Sequence, residues 1–184
     1  MGAAPLWVFG YGSLMWNPGF DVAERCLARL PGFRRAFCMH SIHHRGTVAD
    51  PGLVLALDLE PDAACDGLAF RVAPGTEDDT LAYLRERELI SSAYLEEVHG
   101  IELQDGRNVD SVTYVVDREH EQYCGGVPLE EQAQIIASAV GGRGPNWEYL
   151  YNTAQHLNEL GLEDPDLNWL TTRVRTLRAG ITGA

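Results

Sequence analysis

The sequence predicts an α+β fold, with a curved sheet or barrel formed by the first half of the chain and helices supplied by the last third. Three observations carry this. Leu53, Leu55, Leu57 and Leu59 alternate with Val54, Ala56 and Asp58, the period of a strand with one face firmly buried and the other partly so. Asp105 and Gly106 stand between two runs of strand formers, Tyr94 to Leu103 and Asn108 to Val116, a strong hairpin signal. Pro128, Asn146 and Asp164 with Pro165 then open three helix-length segments, ending near Val140, at Gly161 and near Leu177. At 184 residues and 45% hydrophobic content the chain, 1–184, reads as a single domain able to bury a core.

In chain order, the strand formers Trp7, Val8 and Phe9 run into Gly10, Tyr11, Gly12, Ser13 and Leu14, so the first strand ends in a turn whose backbone can approach a ligand closely. Successive N–H groups in such a turn can converge on a carboxylate or a carbonyl oxygen, and an ordinary turn is the alternative. Neither G-x-G-x-x-G nor G-x-x-x-x-G-K-[ST] is present, so nucleotide binding is not indicated. Val22 to Leu30 reads as a short helix or a loop that Pro31 and Gly32 break. Arg34 to Ile42, Leu53 to Leu59 and Asp66 to Val72 read as separate strands, the first two parted by the turn-rich stretch from Arg45 to Gly52. Thr76 to Leu89 reads as a helix, with Thr76 at the N-cap and Glu77, Asp78 and Asp79 where the helix dipole favours acids.

Composition excludes several classes. The balance of 14 basic against 27 acidic residues, a net charge of −13, argues against nucleic acid and anionic membrane surfaces as partners. Every basic residue is arginine, so lysine Schiff-base chemistry is absent. Cys26, Cys38, Cys65 and Cys124 are scattered without a C-x-x-C, and the N-terminus has no basic region leading into a long apolar run, which predicts a reduced, cytoplasmic protein. No apolar stretch approaches the roughly 20 residues of a membrane span.

Among candidate chemical groups, one carboxylate stands out. At roughly 100° per residue, Glu88 lies within about 20° of Leu81 and about 40° of Leu84, whereas Glu86 points about 140° from Leu81. A carboxylate on an apolar stripe is either paired, here with Arg85 or Arg87, or kept for chemistry with a raised pKa. His40, His43, His44 and Arg45 cluster, but strand alternation parts His43 from His44 and no acidic third ligand is evident, so no metal site is expected. Ser13 lacks the G-x-S-x-G setting of a nucleophile. Tyr149, Thr153 and His156 share a helix face beside Leu160, either a pocket wall or half-buried packing.

Several stretches together carry a resemblance: VFGYGSL with the following MWNP, GFRRAFCMHSIHHRGT, PGLVLALD, GLAFRV, the pair Arg87–Glu88 before Tyr94, and NWEYL. In these, over most of its length, the chain resembles the ChaC family of γ-glutamylcyclotransferases, the glutathione-degrading branch. The resemblance implies a small mixed β-barrel with surrounding helices and a lyase-type reaction that converts glutathione to 5-oxoproline and cysteinylglycine. It implies that the segment Val8, Phe9, Gly10, Tyr11, Gly12, Ser13 and Leu14 binds the γ-glutamyl group, that Glu88 is the catalytic acid/base, and that Tyr149 touches substrate. No metal, nucleotide or organic cofactor is required. Ser91, Ser92 and Ala93 depart from the pattern, standing where many members have glycine. Other γ-glutamyl peptides or amines as substrates, or a non-catalytic γ-glutamyl-binding module, are the alternatives.

Overall fold

A four-residue strand, β1 (Trp7–Gly10), sits between two partners and sends its side chains alternately to two cores. It pairs antiparallel with β3 (Gly52–Val72), Val8 opposite Phe70, and parallel with β5 (Asn108–Val116), Val8 opposite Val112. Together with β2 (Val22–Ser41) and β4 (Tyr94–Leu103) these close a five-stranded barrel in the order β1-β3-β2-β4-β5. The computed structural model describes residues 3–182. The other elements are α1 (Glu77–Glu88), α2 (Leu129–Ser138), a two-stranded ribbon of β6 (Val140–Gly141) and β7 (Gly144–Pro145), α3 (Asn146–Glu159) and α4 (Pro165–Thr182).

The chain divides into two compact units, each built from two segments: residues up to Arg35 with Leu57–His120, and Ala36–Ala56 with Glu121 onward. In the first unit, Trp7 and Phe9 pack with Ala28, Leu30, Phe33, Leu57, Ala69, Ile101, Leu103 and Val115. Val8, of opposite parity, packs instead with Leu14, Val72, Leu84, Val112 and Tyr114, the cluster that seats α1. In the second unit α2, α3 and α4 pack on one another. Asn146, fully buried, fixes α3 to the start of β3, its carboxamide accepting from the Leu53 N–H and donating to the Leu53 carbonyl, both at 2.8 Å.

The structure corrects three sequence expectations. Val22 to Leu30 is neither helix nor loop but the first half of β2, and Pro31–Gly32 does not break it. The buried parity changes from even (Ala28, Leu30) to odd (Phe33, Arg35, Phe37) across those two residues, and Gly32 has φ +84°, so the strand absorbs one extra residue as a bulge. Leu53–Leu59 and Asp66–Val72 are one continuous strand, β3. Within it Leu59 is 51% exposed while Asp58 is buried and paired with Arg118, so the leucine alternation ends one residue pair early. The hairpin of β4 and β5 and the four helices lie where the sequence places them, although α4 runs on past Leu177 and α2 stops short of Val140. Thr76 does precede α1, but its hydroxyl donates back to the Ala73 carbonyl and does not cap a helix N–H. None of the four cysteines is in a disulfide, and no helix among the described residues is long and apolar enough to cross a membrane.

Because Asn146 satisfies both main-chain groups of a buried residue, Asn146→Leu strands a donor and an acceptor, each costing about 1–3 kcal/mol. The expected loss of stability is at least about 2 kcal/mol, read as a lower denaturant midpoint at unchanged m-value.

Candidate functional site

The turn that follows β1 is a short 3-10 helix, Ser13–Met15, preceded by Tyr11 and Gly12. The amides that open such a turn have no intrahelical acceptor and are available to a ligand oxygen. The two glycines do different work. A Cβ at Gly10 would meet Phe70 at 3.1 Å and Leu14 at 3.2 Å, so Gly10 is required by packing, whereas a Cβ at Gly12 would meet nothing within 4 Å. Val8, Phe9 and Leu14 are buried, so their side chains serve the core, while Ser13 is exposed and carries the hydroxyl of the turn.

Beneath the turn lies a residue that sequence reasoning missed. Arg35, 6% exposed, donates from Nε to the Tyr11 carbonyl (2.7 Å) and from Nη2 to the Asp66 carbonyl (2.6 Å), tying the turn to β3. The signal was present in strand parity, since Arg35 shares a face with buried Phe33 and Phe37, while Arg34 faces out to Glu60.

Glu88 ends α1 beside this turn. Leu84 on its stripe is fully buried, and the Glu88 side chain is 18% exposed, while Glu86 is exposed. Burial pushes the Glu88 carboxyl upward from its ordinary value, and the neighbouring Arg87 guanidinium pulls it part of the way back. Arg85, one of the two partners considered for it, is taken by Glu96 in a bidentate pair. Arg87 is the other, with Nε 3.3 Å from Glu88 Oε1, and it also donates from Nη2 to Ser13 Oγ at 3.0 Å. Through this one guanidinium the carboxylate and the turn are joined.

From β5, the buried Tyr114 phenol donates to Glu96 Oε2 at 3.0 Å. Burial first, then the hydrogen bond and charge of Glu96 and the charge of Glu88, push the phenol upward. The hydrogen bonds of Arg85 first and of Tyr114 hold Glu96 low despite partial burial. Two carboxylates beside one tyrosine are thus driven in opposite directions, Glu96 downward and Glu88 upward.

Tyr149 lies in the second unit, where its hydroxyl accepts from the Leu55 N–H (3.2 Å) and its ring packs edge-on to Phe37 beneath the Arg45 guanidinium. Thr153 on the same helix face is buried and donates to the Tyr149 carbonyl at 2.8 Å. A groove between α3 and α4, lined among others by Tyr151, Asn158 and Arg175, contains no residue of the turn or of α1. Ser92, in the stretch that departs from the glycine pattern, has φ +58°, a conformation costing a non-glycine residue about 1–2 kcal/mol.

A mixed barrel thus carries a glycine turn at the end of its first strand and a desolvated glutamate joined to that turn through Arg87. Residues 6–177 match the family model of ChaC-like proteins, and the chain belongs to that family. It is 38% identical over 175 residues to the glutathione-specific gamma-glutamylcyclotransferase of Escherichia coli (strain K12), covering 95% of this chain and 75% of that protein. It is 33% identical over 171 residues to glutathione-specific gamma-glutamylcyclotransferase 1 of Danio rerio, covering 90% and 87%. A crystal structure of a gamma-glutamyl cyclotransferase specific to glutathione from yeast shares the fold, with a TM-score of 0.84 at 24% identity over 96% of this chain and 98% of that one.

The two glycines separate in a stability measurement. Gly10→Val overpacks against Phe70 and Leu14 at a cost of about 1–3 kcal/mol, whereas Gly12→Val, projecting into open space, melts within a degree or two of wild type. Glu88 gives a second test. Its folded pKa is raised, so its contribution is favourable below the unfolded carboxylate pKa and is lost as pH rises through the folded one. Glu88→Gln therefore melts above wild type at pH 7.5, with the gap closing on acidification toward the carboxylate range; a gap that widens on acidification would contradict desolvation as the dominant cause.

Proposed function

We propose that this protein is a glutathione-specific γ-glutamylcyclotransferase, acting as a single domain of its family, with Glu88 as acid/base and the turn from Gly10 to Leu14 as the γ-glutamyl cradle. The carrying observation is the Arg87 bridge, which puts a desolvated carboxylate within one guanidinium of a turn whose opening amides have no helical acceptor, in a chain whose relatives bear that name.

The reaction needs few parts. The α-amine of the γ-glutamyl group attacks its own side-chain amide carbonyl, a five-membered ring closes as 5-oxoproline, the amide C–N bond breaks, and cysteinylglycine departs without consuming water. At neutral pH most of an α-amine is ammonium, with a pKa of about 7.7–8.0 for a peptide α-amino group, so a base must first remove a proton. Glu88 takes that proton and returns one to the departing amine, work typically worth about 10² to 10⁴ in rate. Holding the flexible glutamyl chain folded contributes more, since well-oriented intramolecular reactions reach effective molarities of about 10⁵ to 10⁸ M. Amides of the turn, aimed at an oxygen of the γ-glutamyl group, supply that hold. The acidic surface and the reduced thiols fit a cytoplasmic enzyme of a small peptide.

Incubation with glutathione and chromatography is the direct test, with 5-oxoproline and cysteinylglycine expected in equal amounts. Glutamate in place of 5-oxoproline would mean that water attacks the amide and that the protein is a hydrolase. Glu88→Gln is expected to lose nearly all turnover while remaining folded, and Glu86→Gln to stay near wild type. Activity falls with acid as Glu88 becomes protonated, along a limb above that of an ordinary glutamate. N-acetylglutathione, whose blocked amine cannot attack, yields no product.

A further inference from the structure

The Arg87 guanidinium is fixed by the main chain that follows the turn. Its Nη1 donates to the carbonyls of Asn17 (2.7 Å) and Pro18 (3.3 Å) and to the Tyr83 hydroxyl (3.2 Å), leaving Nη2 directed at Ser13 Oγ and Nε at Glu88. Two rigid carbonyls set the plane of the fork, so the directions of Nη2 and Nε are imposed on Ser13 and Glu88 and not chosen by them.

This has a chemical consequence at Ser13. A hydroxyl has one proton to give and two lone pairs to receive with, and guanidinium can only give. With a lone pair of Oγ filled by Nη2, the serine proton points to another acceptor. Ser13 is exposed, at the mouth of a turn where a Cβ on the neighbouring Gly12 would meet open space. Being exposed, the hydroxyl can offer that proton to an oxygen of a molecule bound at the turn. Resting on the function proposed above, we infer that Arg87 is a positioning residue that sets Ser13 as a hydrogen-bond donor to the γ-glutamyl group while holding the Glu88 carboxylate at a fixed reach from it.

Glu88 faces Arg87 from its own helix and the Tyr114 phenol from β5. The phenol proton is committed to Glu96 of β4, which Arg85 grips from α1. Among the described residues Arg87 is the ion-pair partner of Glu88. Removing it leaves Tyr114 turned toward Glu96 and Glu88 without its cation.

The test is a double-mutant cycle on glutathione turnover with Ser13→Ala, Arg87→Met and the double variant, together with Arg87→Lys. Ser13→Ala is expected to raise KM about three- to ten-fold, the worth of one hydrogen bond. Arg87→Met is expected to raise KM at least as much and to move the acid limb of the rate profile to higher pH. The double variant is expected to have the KM of Arg87→Met alone, because Ser13 without Arg87 has lost its set direction. Arg87→Lys does not rescue, since one ammonium cannot span Ser13, the loop carbonyls and Glu88. Losses that multiply in the double variant, or an acid limb that stays in place, overturn the inference. If Arg87→Met unfolds, the same cycle run with Arg87→Lys decides the coupling. A ¹³C titration of the Glu88 carboxyl separates this from the functional reading. Failure of the wild type to form 5-oxoproline overturns the cyclotransferase assignment, whereas an unchanged Glu88 midpoint in Arg87→Met overturns the role of Arg87 even in an active enzyme.

Discussion

Contact between the outward face of β1 and the helix α1 governs the geometry of the site. Val8, paired on both sides within the barrel, packs in one cluster with Leu84, Val112 and Tyr114, and so fixes where α1 ends relative to where β1 ends. The glycine turn grows from one of these ends and Glu88 from the other. Neither carries its chemistry alone: an isolated turn is a loop with spare amides, and an isolated helix end would leave its glutamate in water. Burying the apolar cluster brings both to one place and removes the water that would otherwise keep the carboxylate acidic.

Buried and half-buried polar groups surround the turn and α1, each answered by a partner of definite kind. Arg35 meets main-chain carbonyls, and Glu96 meets Arg85 and Tyr114. Glu88 departs from this pattern: among the described residues its ion-pair partner is Arg87, whose fork is committed mainly elsewhere. A carboxylate as fully solvated by arginine as Glu96 would be a poor base. The two glutamates are thereby shifted in opposite directions, Glu96 held low by its hydrogen bonds and Glu88 pushed up by burial.

Local signals explain what was legible in the sequence. Glu88 could be told from Glu86 because helical period sets them nearly on opposite faces, about 160° apart, and the hairpin could be placed because Gly106 supplies the φ of +93° that its turn needs. Pro31 and Gly32 misled because the same pair that ends a helix can sit in a bulge, and only the change of buried parity along β2 distinguishes the two. Arg35 was legible in principle from the parity of Phe33 and Phe37. Asn146 and Tyr114 were not: the partner of Asn146 lies 93 residues away, and Tyr114 sits in a run buried on both faces, where alternation carries no information.

The division of the chain into two units, each assembled from two separated segments, bears on how the protein comes off the ribosome. The segments of the first unit are complete once His120 has been made, but Ala36–Ala56, the distal ends of the two longest strands, belongs with chain that follows Glu121. At synthesis rates of about 5–20 residues per second, those strand ends wait on the order of seconds for α3 and its Asn146 clamp. During that interval the nascent chain presents Leu53 and Leu55 without their helical cover, a natural point for chaperone engagement. For the same reason no single cut in the gene would yield either unit whole.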